Sequence, residues 1–207
     1  MKRGVFITLE GMDNAGKSTQ ATLLATHLRT RGEVLLTREP GGTDIGEELR
    51  RLVTQTEGLD IATETLLLLA ARREHICRRI LPALQAGQWV VCDRFSDSTL
   101  AYQGGGRGVC RQWLTDCLHG VEEGLRPDLT FYLWSPPEAA AIAAPQDVFE
   151  RAGASFRSKV EETYETLARD NPLRIVTVPW HDANGCRLSI AAIADFLAAT
   201  VAKRFSL

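Results

Sequence analysis

The sequence predicts an α/β protein, a five-stranded parallel sheet with helices on both faces, and three observations predict it. Short β-branched or apolar runs alternate with longer stretches of helical periodicity. The first run leads into Gly11–Ser18, which fits G-x-x-x-x-G-K-[ST] where a strand gives way to a helix. The 207 residues, 44% hydrophobic and 24% charged, suffice for one substantial core, so a single domain over 1–207 is expected.

In chain order, VFITLE at 5–10 is the first strand, and the glycine-rich loop GMDNAGKS separates it from a periodic helix over 18–31. EVLLT at 33–37 is the second strand, followed by the loop REPGG. A long periodic stretch over 61–86 predicts a helix, after which QWVVCD at 88–93 is the third strand and DRFSDS its loop. The helix at 110–124 precedes LTFYLW at 129–134, the fourth strand, and the loop SPPE. The alanine-rich EAAAIAAP at 138–145 reads as a helix stopped by Pro145. LRIVTV at 173–178 is the fifth strand. In such sheets ligands sit beyond the carboxyl ends of the strands, so these loops are where chemistry is expected.

The formal charge of −2 and a pI near 6.1 argue against a protein that coats nucleic acid, because such binding needs a basic face. An anionic ligand must instead meet a local cluster of arginines. Cys77, Cys92, Cys110, Cys117 and Cys186 are odd in number and never spaced C-x-x-C, which suggests inert thiols rather than disulfides or zinc ligands. The N-terminal apolar run is too short for a signal sequence, and no stretch approaches a membrane span. A cytoplasmic protein with no membrane partner is the expectation.

In the Gly11–Ser18 loop, glycines let backbone N–H groups turn onto phosphate oxygens at a helix N-terminus. Lys17 reaches the β/γ oxygens and Ser18 can ligate Mg²⁺. Gly11, Met12, Asp13, Asn14, Ala15, Gly16, Lys17, Ser18 and Thr19 are therefore the candidate ATP-binding residues. GTPases, ATPases and small-molecule kinases share this loop, but the N-K-x-D string for guanine is absent. Asp93-Arg94 follows the third strand instead, and an arginine beside the γ-phosphate suits transfer to another anion.

Beyond the loop stand TREPGGTDIGEELR (37–50), AARREH (70–75), DRFSDSTLAYQGGGRG (93–108) and RPDLTFYLWSPPE (126–138). In this order and spacing the chain closely resembles bacterial thymidylate kinases, P-loop kinases that convert dTMP and ATP to dTDP and ADP. The resemblance runs from about residue 4 to 138 and resumes more weakly through FRSKVEETYETLA to the C-terminus. The acceptor in that reaction is a phosphate monoester with a second pKa of about 6, so no general base is required. His75 is accordingly read as a packed or capping side chain.

The resemblance implies a P-loop kinase fold with a short lid at about 139–152, and a role for each matching residue. Arg38, Arg50 and Arg94 hold the acceptor phosphate, with Arg94 also neutralising the transferring group. Asp93 and Glu39 organise Mg²⁺, its waters and the arginines, so that Lys17, Glu39, Asp93 and Arg94 form the catalytic set. Arg72 donates to a thymine carbonyl, Thr99 and Gln103 complete the base edge, and Pro40 and Leu68 belong to the same dTMP site. Asp13 accepts from the sugar 3′-hydroxyl and Tyr102 crowds the place of a 2′-hydroxyl. Arg107 is a weaker candidate. Arg73 points about 100° from Arg72 on a helix and reads as solvated. The resemblance also implies a homodimer.

Three departures from the family pattern carry consequences. Residues 139–150, AAAIAAPQDVFE, contain no Lys or Arg where the lid normally supplies arginines to ATP. Arg151, Arg157 or Lys159 can substitute, and Arg151 is the favoured candidate; slow catalysis without one, or a degenerate paralogue that binds without turnover, are the alternatives, alongside a broader nucleoside-monophosphate kinase. Leu68 stands where phenylalanine usually faces thymine, and Trp134 where aspartate is usual, and both bear on base selection. For adenine, the loop HDANGC at 181–186 is in position, but polar glycine loops are usually turns.

Overall fold

The computed structural model describes residues 3–134, 148–149 and 151–207. The helix expected over 138–145, and the expected lid apart from Val148, Phe149, Arg151 and Ala152, lie outside the described residues.

Strands β1 (Phe6–Glu10), β2 (Val34–Arg38), β3 (Trp89–Asp93), β4 (Leu129–Leu133) and β5 (Ile175–Val178) form one parallel sheet in the order β2-β3-β1-β4-β5. The described helices are α1 (Lys17–Leu28), α2 (Asp44–Gln55), α3 (Ile61–His75), α4 (Leu81–Gln85), α5 (Ser96–Thr99), α6 (Arg111–Glu122), α7 (Gly153–Asp170) and α8 (Ile190–Phe205). Each strand falls on its expected run. β1 lies at the centre and is buried throughout, as a strand covered on both faces must be.

Successive β1 side chains serve opposite layers. Ile7 and Leu9 pack with Leu24 and Leu28 of α1 and Leu197 and Val201 of α8. Phe6 packs the other way, with Ile76, Ile80, Leu84 and Phe95. Full burial of a side chain such as Phe6 or Phe131 contributes about 1.5–3 kcal/mol over leaving it exposed. A third cluster, with Tyr132, Phe156, Val160 and Tyr164, seats α7 beside β4 and β5. Thr43, Asp60 and Ser189 cap α2, α3 and α8, each side chain accepting from a first-turn backbone N–H.

The helix expected over 61–86 is interrupted. After α3 the chain widens into a π-helical turn at Ile76–Ile80, where Leu81 N–H donates to Ile76 O, and α4 begins with Pro82 in its first turn. Proline has no N–H and its ring crowds the carbonyl four residues back, so the ladder opens just before it. A second π-helical turn, Leu100–Gly106, follows α5, with Arg107 N–H donating to Tyr102 O at 2.9 Å. Its glycines admit α7: a Cβ on Gly105 would lie 2.1 Å from Thr163 Oγ1 and 2.9 Å from Lys159 O. That close packing points Tyr102 and Gln103 toward the carboxyl ends of the strands.

Candidate active site

The phosphate loop is built by the sheet beneath it. β1 ends at Glu10, and Gly11 then passes so close to β4 that a Cβ would sit 2.2 Å from Leu133 O. Gly11, Asn14 and Gly16 have φ of 140°, 64° and 85°, turning the backbone around the N-terminus of α1. Lys17 lies buried under this loop, its Nζ donating to Met12 O at 2.6 Å. Burial, then the neighbouring Arg94 charge, lowers its pKa to about 8 despite the opposing carboxylates of Asp13, Asp93 and Glu10. Ser18 Oγ donates to Asp93 Oδ2 at 2.5 Å, while Asp93 Oδ1 is buried with no hydrogen-bond partner. A hydroxyl and a carboxylate with a spare oxygen suit a small hard cation.

Beside this loop, all the expected acceptor residues except Arg38 line one cavity, part of it open to solvent. Asp13 comes from the phosphate loop, Pro40 from the loop after β2, Arg50 from α2, and Leu68 and Arg72 from one face of α3. Arg94 follows β3, and Thr99, Tyr102 and Gln103 come from α5 and the π-helical turn. Glu39 also lines it.

Arg94 joins the two halves. Its φ of 70° lies in the left-handed region, costly for a residue with a side chain and often found at functional sites. Nη1 donates to Gly11 O at 2.9 Å, Ser98 Oγ at 3.1 Å and Tyr164 OH at 3.3 Å. Nη2 donates to Asp13 Oδ1 at 2.6 Å and Tyr102 OH at 3.2 Å. Tyr102 OH in turn donates to Asp13 Oδ2 at 2.9 Å. Burial alone would raise the Asp13 pKa, but the charges of Arg94 and Lys17 and these hydrogen bonds lower it to about 2. Beneath them Glu10 accepts from Phe95 N–H, Ser98 Oγ and Tyr164 OH, and burial followed by the Asp97 charge raises its pKa to about 8.

On the far side Arg72 is almost wholly buried. Its Nε donates to Glu39 Oε2 at 2.7 Å and its guanidinium lies 4.9 Å from the centre of the Phe95 ring. Nη1 is buried without a hydrogen-bond partner, 3.6 Å from Glu122 Oε1. His75 is a packed residue as expected, held between Glu39 Oε1 (3.0 Å) and Thr37 Oγ1 (2.7 Å). Burial opposes ionisation of Glu39, yet Arg72 and His75 bring its pKa below the usual carboxylate value. Glu39 therefore organises an arginine. Arg73 turns outward to Val121 O and Glu123.

Three of the expected side chains lie outside this cavity. Arg38 is half-exposed and outside the cavity, its Nη2 held by Glu47 at 2.8 Å, because the last β2 side chain emerges toward Ser18 and Asp93 rather than toward α3. Arg151 donates to Glu57, beyond α2, at 2.9 Å. Trp134 is not in the base site; it donates to Glu161 Oε1 of α7 and meets Trp180 edge-on at 6.3 Å. The loop at 181–186 is a turn in which Asp182 Oδ1 accepts from the N–H groups of Asn184 and Cys186.

Sequence reasoning missed Thr54, Phe95, Ser98 and Phe149 as cavity residues. Phe149, beside the expected lid arginine, meets the Tyr102 ring edge-on at 6.0 Å and lies under the Arg107 guanidinium at 5.3 Å. A bulky apolar residue in an otherwise small or polar segment was the available signal. Arg107 also pairs with buried Glu64 at 3.0 Å.

Comparison with known proteins agrees with the geometry. The family model of thymidylate kinase matches residues 9–183. A thymidylate kinase from Cupriavidus necator is 44% identical over 207 residues, covering 97% of this chain and 98% of its own. One from Cupriavidus metallidurans is 46% identical over 176 residues, covering 83% and 88%. The crystal structure of thymidylate kinase from Ehrlichia chaffeensis superposes with a TM-score of 0.77 at 32% identity, covering 98% of this chain and 99% of that one. With the family model matching most of its length and a relative 44% identical over nearly all of it, the chain belongs to the thymidylate kinases.

Proposed function

We propose that the chain, acting as a single domain, transfers the γ-phosphoryl group of ATP to the phosphate of dTMP, yielding dTDP for dTTP synthesis. The observation that carries this reading is Arg94, which lines the acceptor cavity while donating to Gly11 O and Asp13 of the phosphate loop. A guanidinium common to both sites can balance charge on donor and acceptor at once, and phosphoryl transfer needs such positioning more than covalent chemistry.

In this reading the loop from Gly11 to Thr19 cradles the ATP phosphates and Lys17 neutralises the β/γ oxygens. Ser18 and Asp93 would hold Mg²⁺, which would supply charge neutralisation to the phosphates; the unpartnered Asp93 Oδ1 supports that assignment. Arg50, whose Nη1 donates to Pro40 O, faces the acceptor phosphate. Asp13 and Tyr102 meet the sugar, and Arg72 and Gln103 read the base. Phe149 and Leu68 line the cavity with apolar surface. The dianionic acceptor phosphate attacks without a general base.

We further infer a cytoplasmic homodimer. Ile45 and Leu52 of α2 and Ile61 and Leu66 of α3 are large apolar side chains left exposed on two helices that pack together, which supports an interface there. No helix among the described residues is long and apolar enough to cross a membrane. The test is ADP release with ATP, Mg²⁺ and dTMP, for wild type beside Lys17→Ala. Turnover of about 1–100 per second that the variant loses supports the reading. Binding of dTMP with turnover no faster than the variant's overturns it.

A further inference from the structure

We propose that Glu64, which does not line the cavity, sets its preference for thymine over cytosine by fixing which way the Gln103 amide points. The inference rests on the reading of the cavity as the dTMP site.

Glu64 is on α3 and 3% exposed. Its Oε1 accepts from Gln103 Nε2 at 3.1 Å and from Arg107 Nε at 3.3 Å, and its Oε2 accepts from Arg107 Nη2 at 3.0 Å. Amide orientation is often a matter of assignment, but a carboxylate paired with a guanidinium only accepts, so the nitrogen of Gln103 must face it. The amide oxygen is then the atom Gln103 offers on its other side, within the cavity that it lines. Gln103 is itself 2% exposed, so reversing the amide would set its oxygen against a buried carboxylate.

The cavity thus presents an acceptor from Gln103 and a donor from the Arg72 guanidinium, both side chains lining it. Thymine offers the complement, an accepting O4 beside a donating N3–H. Cytosine offers the reverse, a donating amino group beside an accepting N3. Two mismatched groups at buried side chains reject a base far more strongly than a missing methyl does. Glu64 is therefore a positioning residue that acts through Gln103. Arg107 holds the carboxylate by engaging both oxygens, and its guanidinium stacks over the Phe149 and Phe156 rings.

The experiment compares kcat/KM for dTMP, dUMP and dCMP in wild type, Glu64→Gln, Gln103→Leu and the double variant. Glu64→Gln leaves Gln103 free to turn its nitrogen to the base, so the dTMP:dCMP ratio falls by about ten- to a hundredfold. The dTMP:dUMP ratio stays unchanged, because uracil has the same hydrogen-bonding edge as thymine. In the Gln103→Leu background the Glu64 substitution has no further effect on dTMP:dCMP. Parallel loss on all three substrates, or an effect that persists without Gln103, overturns the proposal. Gln103→Leu alone keeps the Glu64–Arg107 pair and must also lower dTMP:dCMP; an unchanged ratio overturns the proposal even where Glu64→Gln does not fold. A wild-type enzyme that uses dCMP as well as dTMP removes the reading of the cavity itself, and the proposal with it.

Discussion

Arg94 Nη2 lies 2.6 Å from Asp13 Oδ1, tying the residue after β3 to the phosphate loop 81 positions earlier in the chain. The same guanidinium reaches Gly11 O, Ser98, Tyr164 and Tyr102, a fork that an ammonium cannot reproduce. Arg94→Lys keeps the charge and loses the geometry. The expected result is a fall in kcat of about a thousandfold or more, measured in single-turnover reactions with ATP and dTMP. A loss below about tenfold would mean that charge alone suffices.

Arg38 and Arg50 belong to one sequence motif but have different fates in the fold. Arg50 lines the cavity, whereas Arg38 makes a half-exposed pair with Glu47. Such pairs contribute about 0–1 kcal/mol. Arg50→Ala should therefore raise KM for dTMP by about tenfold or more, as expected when a charge-assisted contact is lost. Arg38→Ala should change it by less than about threefold, the effect of an exposed pair. Equal effects of the two substitutions on steady-state KM would contradict this assignment.

These two arginines also mark how far the sequence could be read. The strands were legible because short apolar runs bounded by glycine loops have few other uses, and the phosphate loop because its spacing answers to phosphate geometry. Arg50 and Arg72 were found through motifs, but nothing local in TREP says that Arg38 emerges on the opposite side of β2 from α3. The π-helical turn before Pro82 depends on how the ladder relieves one proline, which periodicity does not encode. Phe149 and Glu64 were missed because their roles arise from contacts between distant segments.

Lys17 gives a pH-dependent test. Its pKa of about 8 in the folded chain lies below the ordinary 10.5, so folding favours the neutral amine. In the ligand-free chain the cost of its burial is present in full below about pH 8 and fades as pH rises toward 10.5. ATP phosphates restore the charge. At about pH 8, ATP binding should take up roughly half a proton, which calorimetry in buffers of different ionisation enthalpy measures. Lys17→Met should abolish that uptake; an uptake equal to wild type would locate the titrating group elsewhere.

Arg151 tests whether a lid arginine is needed at all. It was the favoured sequence candidate for contacting ATP, yet its Nη1 donates to Glu57 Oε1 at 2.9 Å, with both side chains substantially exposed. An exposed pair of this kind contributes at most about 1 kcal/mol to stability. The pair with Glu57 alone does not forbid a swing; geometry argues against the need, since Arg94 already joins the phosphate loop to the cavity, next to Lys17. Arg151→Ala should leave kcat within about twofold of wild type, because the group it would replace, an arginine finger, is worth a thousandfold or more. A fall of that size, with KM for dTMP unchanged, would show that Arg151 crosses to ATP during turnover and that the pair with Glu57 is its resting position.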